Sequence, residues 1–295
     1  MLAIVGTVPD DSFPLVSGEV RLKGDTLEIQ GLDVAVNRGT PALVAAVLKA
    51  CEVLDDCEVT GFLVGDIGLG KGSRRLYSHL VEHLPAMAIH TLAFHYLQPD
   101  VDWHNRIVFA VEAMAKKPLM IADAGFMYAA KMSGQAGFYD LFTPDAGELA
   151  FLADETAPHP FYTRGFILHD ENRAEDLIQR AYLHNNGATH LLVKGKIDHV
   201  ANGAGILSTV DFPAVEAMEA MGGTGDTLTG IVTALVASGM AIPLAAEIAA
   251  KTNRLAGFYA NPTPASSIVE VIHQIPRALT EVLAAIPHAF DKPTP

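Results

Sequence analysis

Gly222-Gly223-Thr224-Gly225-Asp226 joins a glycine-rich turn to one carboxylate, immediately before the apolar run Thr227-Leu228-Thr229-Gly230-Ile231-Val232. Consecutive glycines let backbone amides converge on an anion, and a helix starting here adds unsatisfied N–H donors and the positive end of its dipole. That arrangement suits a phosphate held by Gly223, Thr224 and Gly225. Asp226 then stands within reach of a substrate hydroxyl, where phosphoryl transfer or phosphate-assisted elimination needs an acid/base group. A plain helix start, with Asp226 stabilising the first turn, accounts for the same residues.

A second glycine cluster, Gly65-Asp66-Ile67-Gly68-Leu69-Gly70-Lys71, fills the first seven positions of a Walker A loop, and Met120-Ile121-Ala122-Asp123 resembles a Walker B strand. Position 72 is Gly where the motif needs the hydroxyl that binds magnesium, and Ser73 comes one residue late. The loop is read as a glycine turn lining a substrate pocket, with a true P-loop NTPase as the less favoured alternative. Thr143-Pro144-Asp145-Ala146-Gly147-Glu148 follows the apolar run 137–142 and precedes a helix, so Glu148 is either a functional acid or a first-turn carboxylate favoured by the dipole. His90, His95 and His104 match no compact ligand spacing, and Phe94, Tyr96 and Trp103 among them mark a packed or partner-facing segment. No protein-held metal is expected.

These groups need a scaffold, and the composition supplies one. With 295 residues, 50% of them hydrophobic and 18% charged, the chain buries a large core and is not disordered. A net charge of −14 without a basic run excludes nucleic acid and anionic membrane surfaces as partners. Two cysteines, Cys51 and Cys57, are too few for a disulfide framework; read as core-packed thiols, they fit a reducing cytoplasm. The N-terminus lacks a basic region before its apolar residues, and no apolar run approaches a membrane span.

Short apolar runs alternate with amphipathic segments. Residues 60–65, 117–123 and 189–195 read as buried strands, and 76–83, 174–185, 226–237 and 243–260 as helices. That alternation predicts an α/β fold with a mainly parallel central sheet, helices on both faces, and ligands at the carboxyl ends of the strands. One domain over 1–295 is expected. Residues 19–30 read as a β-hairpin turning at Gly24-Asp25, an edge addition or a contact in a homo-oligomer.

In order, the segments resemble the ribokinase-like, carbohydrate kinase-related NAD(P)H-hydrate dehydratases, which remove water from hydrated nicotinamide cofactors using ADP or ATP. Gly223-Thr224-Gly225-Asp226 with Leu228, Gly230 and Ile231 is similar to the family's GTGDxLxGI block, and Val193-Lys194-Gly195 to its LKG segment. Thr143-Pro144 through Gly147-Glu148 resembles TPHPGE, Gly68-Leu69-Gly70 the end of GPGLG, and Ala265-Ser266-Ser267-Ile268-Val269-Glu270 with Ile275-Pro276 the closing stretch. The chain departs at Asp123-Ala124-Gly125-Phe126-Met127-Tyr128, where the family has DADxLN, at Asp145 and Ala146 of TPHPGE, and at Arg38-Gly39-Thr40-Pro41-Ala42, where it has GS(x)nGA. The nucleotide side is kept better than the substrate side.

The resemblance implies ADP or ATP lying along Lys194, Gly195, Lys196, Ile197 and Asp198, with its phosphates at Gly223, Thr224 and Gly225 and Mg2+ carried on phosphate oxygens. It makes Asp226 the acid/base group and assigns Gly70, Asp123, Asp145 and Glu148 to hydrated NADH or NADPH. A kinase of a small alcohol, such as a sugar or vitamin precursor, and a nucleotide-binding protein without turnover fit the same turn. The closing stretch argues against the first, and Asp226 against the second.

Overall fold

Strand and helix follow one another as the alternating pattern dictates. The computed structural model describes residues 1–54, 58–160, 163 and 174–285. The strands are β1 (Leu2–Val8), β2 (Val16–Lys23), β3 (Thr26–Ile29), β4 (Leu32–Ala35), β5 (Val59–Gly65), β6 (Thr91–His95), β7 (Leu119–Ala122), β8 (Leu141–Phe142), β9 (His190–Val193), β10 (Asp198–Asn202) and β11 (Gly205–Val210). The helices are α1 (Thr40–Cys51), α2 (Lys71–His83), α3 (Val101–Glu112), α4 (Ala124–Met132), α5 (Ala146–Ala153), α6 (Ala174–Leu183), α7 (Ala217–Ala220), α8 (Thr224–Ala237), α9 (Ile242–Ala260), α10 (Ile268–Ile272) and α11 (Ile275–Ala284).

The strands form one sheet in the order β11-β10-β9-β8-β7-β6-β1-β5-β2-β3-β4. From β5 through β1, β6, β7 and β8 to β9 every pairing is parallel. Antiparallel pairs finish both sides. Because successive side chains alternate faces, Leu2 and Ile4 of β1 enter one core while Ala3 and Val5 enter the other. The first core packs under α1, α8, α9, α10 and α11; the second lies under α2 to α6.

β2 and β3 form a hairpin in which Lys23 faces Thr26 across Gly24 and Asp25, with Gly24 at φ 58°. β2 also pairs antiparallel with β5, so this hairpin extends the main sheet. The run 137–142 contributes only the two-residue strand β8, because Ala136–Phe138 close a tight 3-10 turn first. One expectation is overturned: Cys51, at the end of α1, is disulfide-bonded and not a packed thiol, while Cys57 lies outside the described residues. Among the described residues no helix is long and apolar enough to cross a membrane.

Candidate functional site

The carboxyl ends of β1, β5, β6, β7 and β9 deliver Thr7, Asp66, His95, Asp123 and Lys194 to one crest of the sheet, where the N-terminus of α8 meets them. Gly223 opens α8 at φ 104°, a left-handed value that favours glycine. A Cβ there would also stand 2.9 Å from Ile268, so the closing stretch at α10 packs directly on the glycine turn. The amides of Thr224, Gly225 and Asp226 have no intrahelical acceptor, as at any helix start.

Asp226 is 8% exposed and held at both oxygens. Oδ2 accepts from the Gly39 amide at 2.5 Å, and Oδ1 lies 3.1 Å from His95 Nε2. The other ring nitrogen, Nδ1, lies 3.1 Å from Thr40 Oγ1. These contacts assign the tautomer: Nε2–H donates to the carboxylate and Nδ1 accepts from the Thr40 hydroxyl. Gly6 of β1 makes the approach possible, since a Cβ there would lie 2.4 Å from Thr40 Oγ1. Burial pushes the Asp226 carboxyl up, but His95, Lys194 and the Gly39 amide outweigh it and hold the group below the usual carboxylate range.

Asp123 sits one strand away and is fully engaged. Lys194 Nζ lies 2.9 Å from both of its oxygens, Thr229 Oγ1 donates to Oδ2 at 2.7 Å, and the Ala124 amide donates to Oδ1 at 2.8 Å. Burial alone would depress the Lys194 ammonium, yet Asp123 and Glu148 reverse that and keep it charged. Its stem runs past Gly225, where a Cβ would stand 3.5 Å from Lys194 Cδ. Glu148 and Asp145 form a reciprocal cap at the start of α5, each side chain accepting from the other's amide at 2.8 Å. Burial, with the charges of Asp123 and Asp145, raises the Glu148 carboxyl well above its ordinary range although Lys194 pulls it down.

A cavity of about 360 Å³ opens beside this group, lined by Thr7, Pro9, Arg38, Gly39, Thr40, Asp66, Gly68, Ser73, Tyr96 and Gln98. That is within the lower range of small-molecule pockets. Tyr96 adopts φ 50° and lies edge-on to His95 at 4.4 Å, a non-glycine residue in the left-handed region at the rim of the site. The loop 65–71 has the glycines of a phosphate nest, but its anion is internal. Asp66 Oδ1 accepts from the amides of Gly68, Leu69 and Gly70 at 3.0 Å each, and Oδ2 accepts from the Ser73 amide and hydroxyl at 2.8 and 2.9 Å. The amides that a Walker A loop turns toward a phosphate are spent here on the Asp66 carboxylate. Gly70 caps α2 against Gln98 and, unlike Gly68, does not line the cavity.

The structure brings Asp226, Asp123, Lys194, Gly223, Thr224 and Gly225 together, while Asp198 has a supporting part. Its Oδ2 accepts from Arg254 Nε at 2.7 Å and its Oδ1 from the Gly195 amide at 3.0 Å. Arg254 also donates to the carbonyls of Gly195, Lys196 and Asp211, pinning the loop that carries Lys196 and Ile197. Beside it on α9, Asn253 accepts from Thr227 at 2.6 Å and donates to the Thr224 carbonyl at 3.2 Å. Adjacent residues of one helix thus fix both the glycine turn and the 194–198 loop. Sequence reasoning missed Arg254, Asn253 and Thr229, and it read His95 as packing; the segment Arg38-Gly39-Thr40 was the one signal in its reach.

The description NAD(P)H-hydrate dehydratase, of the carbohydrate kinase type, matches residues 98–275. The chain belongs to this family. An uncharacterized protein of Methanocaldococcus jannaschii is 40% identical over 242 residues, 82% of this chain and all of that protein. A bifunctional NAD(P)H-hydrate repair enzyme of Hyperthermus butylicus is 41% identical over 98 residues, 32% of this chain and 18% of its own length. The ADP/ATP-dependent NAD(P)H-hydrate dehydratase of Bacillus subtilis, crystallised with ATP and Mg2+, superposes with a TM-score of 0.55 at 15% identity, covering 96% of this chain and 89% of that one. The last likeness is one of fold. The family chain is accordingly a ribokinase-like α/β protein.

Proposed function

We propose that the protein dehydrates hydrated NADH or NADPH using ADP or ATP. The observation that carries this reading is Asp226, fixed between Gly39 and His95 at the start of α8 and beside an open cavity, in a chain whose family is that of the NAD(P)H-hydrate dehydratases. The residues present fit a polyphosphate: the glycine turn opens α8, whose first amides lack intrahelical acceptors, and the Lys194 stem runs beside Gly225. Arg254 pins the 194–198 loop, and Ile197, Phe212 and Phe258, exposed near that clamp in sequence, offer apolar cover for a base. Mg2+ would arrive on phosphate oxygens, since hard cations take oxygen ligands and keep several waters. A bound nucleotide supplies the phosphoryl group that turns the substrate hydroxyl into a leaving group.

The protein's own residues supply the rest. Asp226 accepts the hydroxyl proton, His95 keeps the carboxylate oriented through Nε2–H, and Thr40 holds the ring in that tautomer. Kinase action on a small alcohol is the second reading, favoured by the buried pairing of Asp123 with Lys194, which takes a substrate-side acid out of the cavity. The test is turnover of hydrated NADH with ADP or ATP and Mg2+, run beside a panel of small alcohols. Restoration of NADH absorbance with release of phosphate supports the dehydratase; phosphorylation of an alcohol alone supports the kinase. An unchanged melting temperature at millimolar ADP and ATP counts against both.

A further inference from the structure

The resemblance lays the nucleotide along two cations, Lys194 and Lys196, but the structure commits the charge of Lys194 elsewhere: Asp123 sits 2.9 Å from it through both oxygens. With Asp226 ionised next to it, the protein around the glycine turn brings two carboxylates against one ammonium. A polyphosphate entering there needs further positive charge. Two neighbouring arginines are also engaged: Arg254 makes four hydrogen bonds to the 194–198 loop and its surroundings, and Arg74 lies 3.9 Å from Asp100. The amide nest of the 65–71 loop is closed by Asp66.

Arg38 stands apart from all of these. It lines the cavity, and its stem packs on the glycine turn, where a Cβ on Gly222 would stand 3.5 Å from Arg38 Cδ. Among the described residues no carboxylate lies in ion-pair range of its guanidinium. Asp66, the acid that shares the cavity wall, is spent on five donors and held below its ordinary range by them despite its burial. The next residue, Gly39, donates its amide to Asp226, so Arg38 is fixed in sequence to the acid/base group itself. We infer that Arg38 is a phosphate-binding residue of this site, its guanidinium meeting phosphoryl oxygens between the glycine turn and the cavity. A planar fork suits such oxygens better than an ammonium does. The inference rests on the nucleotide-dependent reading above. Two phosphates have the right chemistry, the transferring group of the nucleotide and the phosphate that an acceptor carries.

The experiment compares Arg38→Gln and Arg38→Lys with the wild type. Affinity for Mg2+-ATP and ADP is measured by calorimetry. Turnover is measured on hydrated NADH and on hydrated dihydronicotinamide riboside, which has no phosphate. If Arg38 meets the nucleotide, Arg38→Gln loses about 10- to 100-fold in nucleotide affinity, or in kcat with both acceptors. If it meets the acceptor's phosphate, KM for hydrated NADH rises by about the same factor and the riboside is unaffected. Arg38→Lys then recovers part of the loss, because it restores charge without the fork. Wild-type values for Arg38→Gln in nucleotide affinity and in both kinetic constants overturn the inference. Wild-type protein that neither binds nucleotide nor turns over either acceptor sinks the nucleotide reading, and this inference with it. Matching melting temperatures show that any loss is not unfolding.

Discussion

At Asp226 the two oxygens face different partners, and that difference decides what an isosteric change does. The Gly39 amide requires an oxygen on its side, so the carboxamide of Asp226→Asn keeps its oxygen there and turns its NH2 to His95. His95 answers by switching tautomer, accepting at Nε2 and donating from Nδ1 to the Thr40 hydroxyl. Fold and nucleotide affinity survive, while the proton acceptor is lost. Turnover of the active acceptor is expected to fall roughly 10²–10⁴-fold, the scale of a positioned proton-transfer group. Near-wild-type turnover would return Asp226 to the role of a helix-start carboxylate. The glycine turn and this acid were legible in the sequence because they are contiguous. His95 was not: it is 131 residues from Asp226, on a strand whose neighbours are chosen by the sheet order, and an isolated histidine carries no spacing that announces such a partner.

The elements show why some of the site could be read and some could not. Helix α8 announces itself by glycine punctuation, and α5 by the Asp145 and Glu148 spacing of a capping box. Arg254 and Asn253 lie well inside α9, where a polar residue looks like any solvated face until the 194–198 loop is seen against it. For that reason Arg254→Met is expected to weaken nucleotide binding about 10-fold, leaving kcat at saturating nucleotide near the wild type; equal affinity in the two proteins would make the clamp purely structural. The 65–71 loop makes the opposite case, a motif that reads as a phosphate site and folds around its own acid. Asp66→Ala orphans five donors at once, and a loss of about 3 kcal/mol in the denaturant-derived stability is expected, near the upper end for one substitution. A loss under about 0.5 kcal/mol would mean that the loop holds its shape without the carboxylate. Lys71→Ala, exposed at the start of α2, leaves nucleotide binding unchanged on the same account.

Across the whole molecule, the site on the crest and the core under α2 to α6 respond to acid for different reasons. His104 of α3 lies fully buried in that second core, where burial pushes its imidazole down to about 4 from an ordinary 6.5. Its bonds explain why it resists a second proton. Ser133 gives its hydroxyl hydrogen to the Ala130 carbonyl, so it accepts from His104 Nδ1–H at 2.9 Å. Nε2 is then left to accept from the Tyr139 hydroxyl at 2.7 Å. A proton on Nε2 would face that O–H donor in a fully buried site. Between pH 6.5 and about 4 the unfolded chain therefore binds a proton that the folded chain refuses. The sign follows: this contribution is fully present above pH 6.5 and is lost as pH falls toward 4, by about 3 kcal/mol in all. Urea midpoints measured from pH 7 to pH 4.5 should fall more steeply in the wild type than in His104→Gln, whose side chain does not titrate. His79 and His90, also lowered by burial, titrate in both proteins and cancel in the comparison of slopes. Parallel slopes would place the acid sensitivity outside the second core and leave His104 as packing alone.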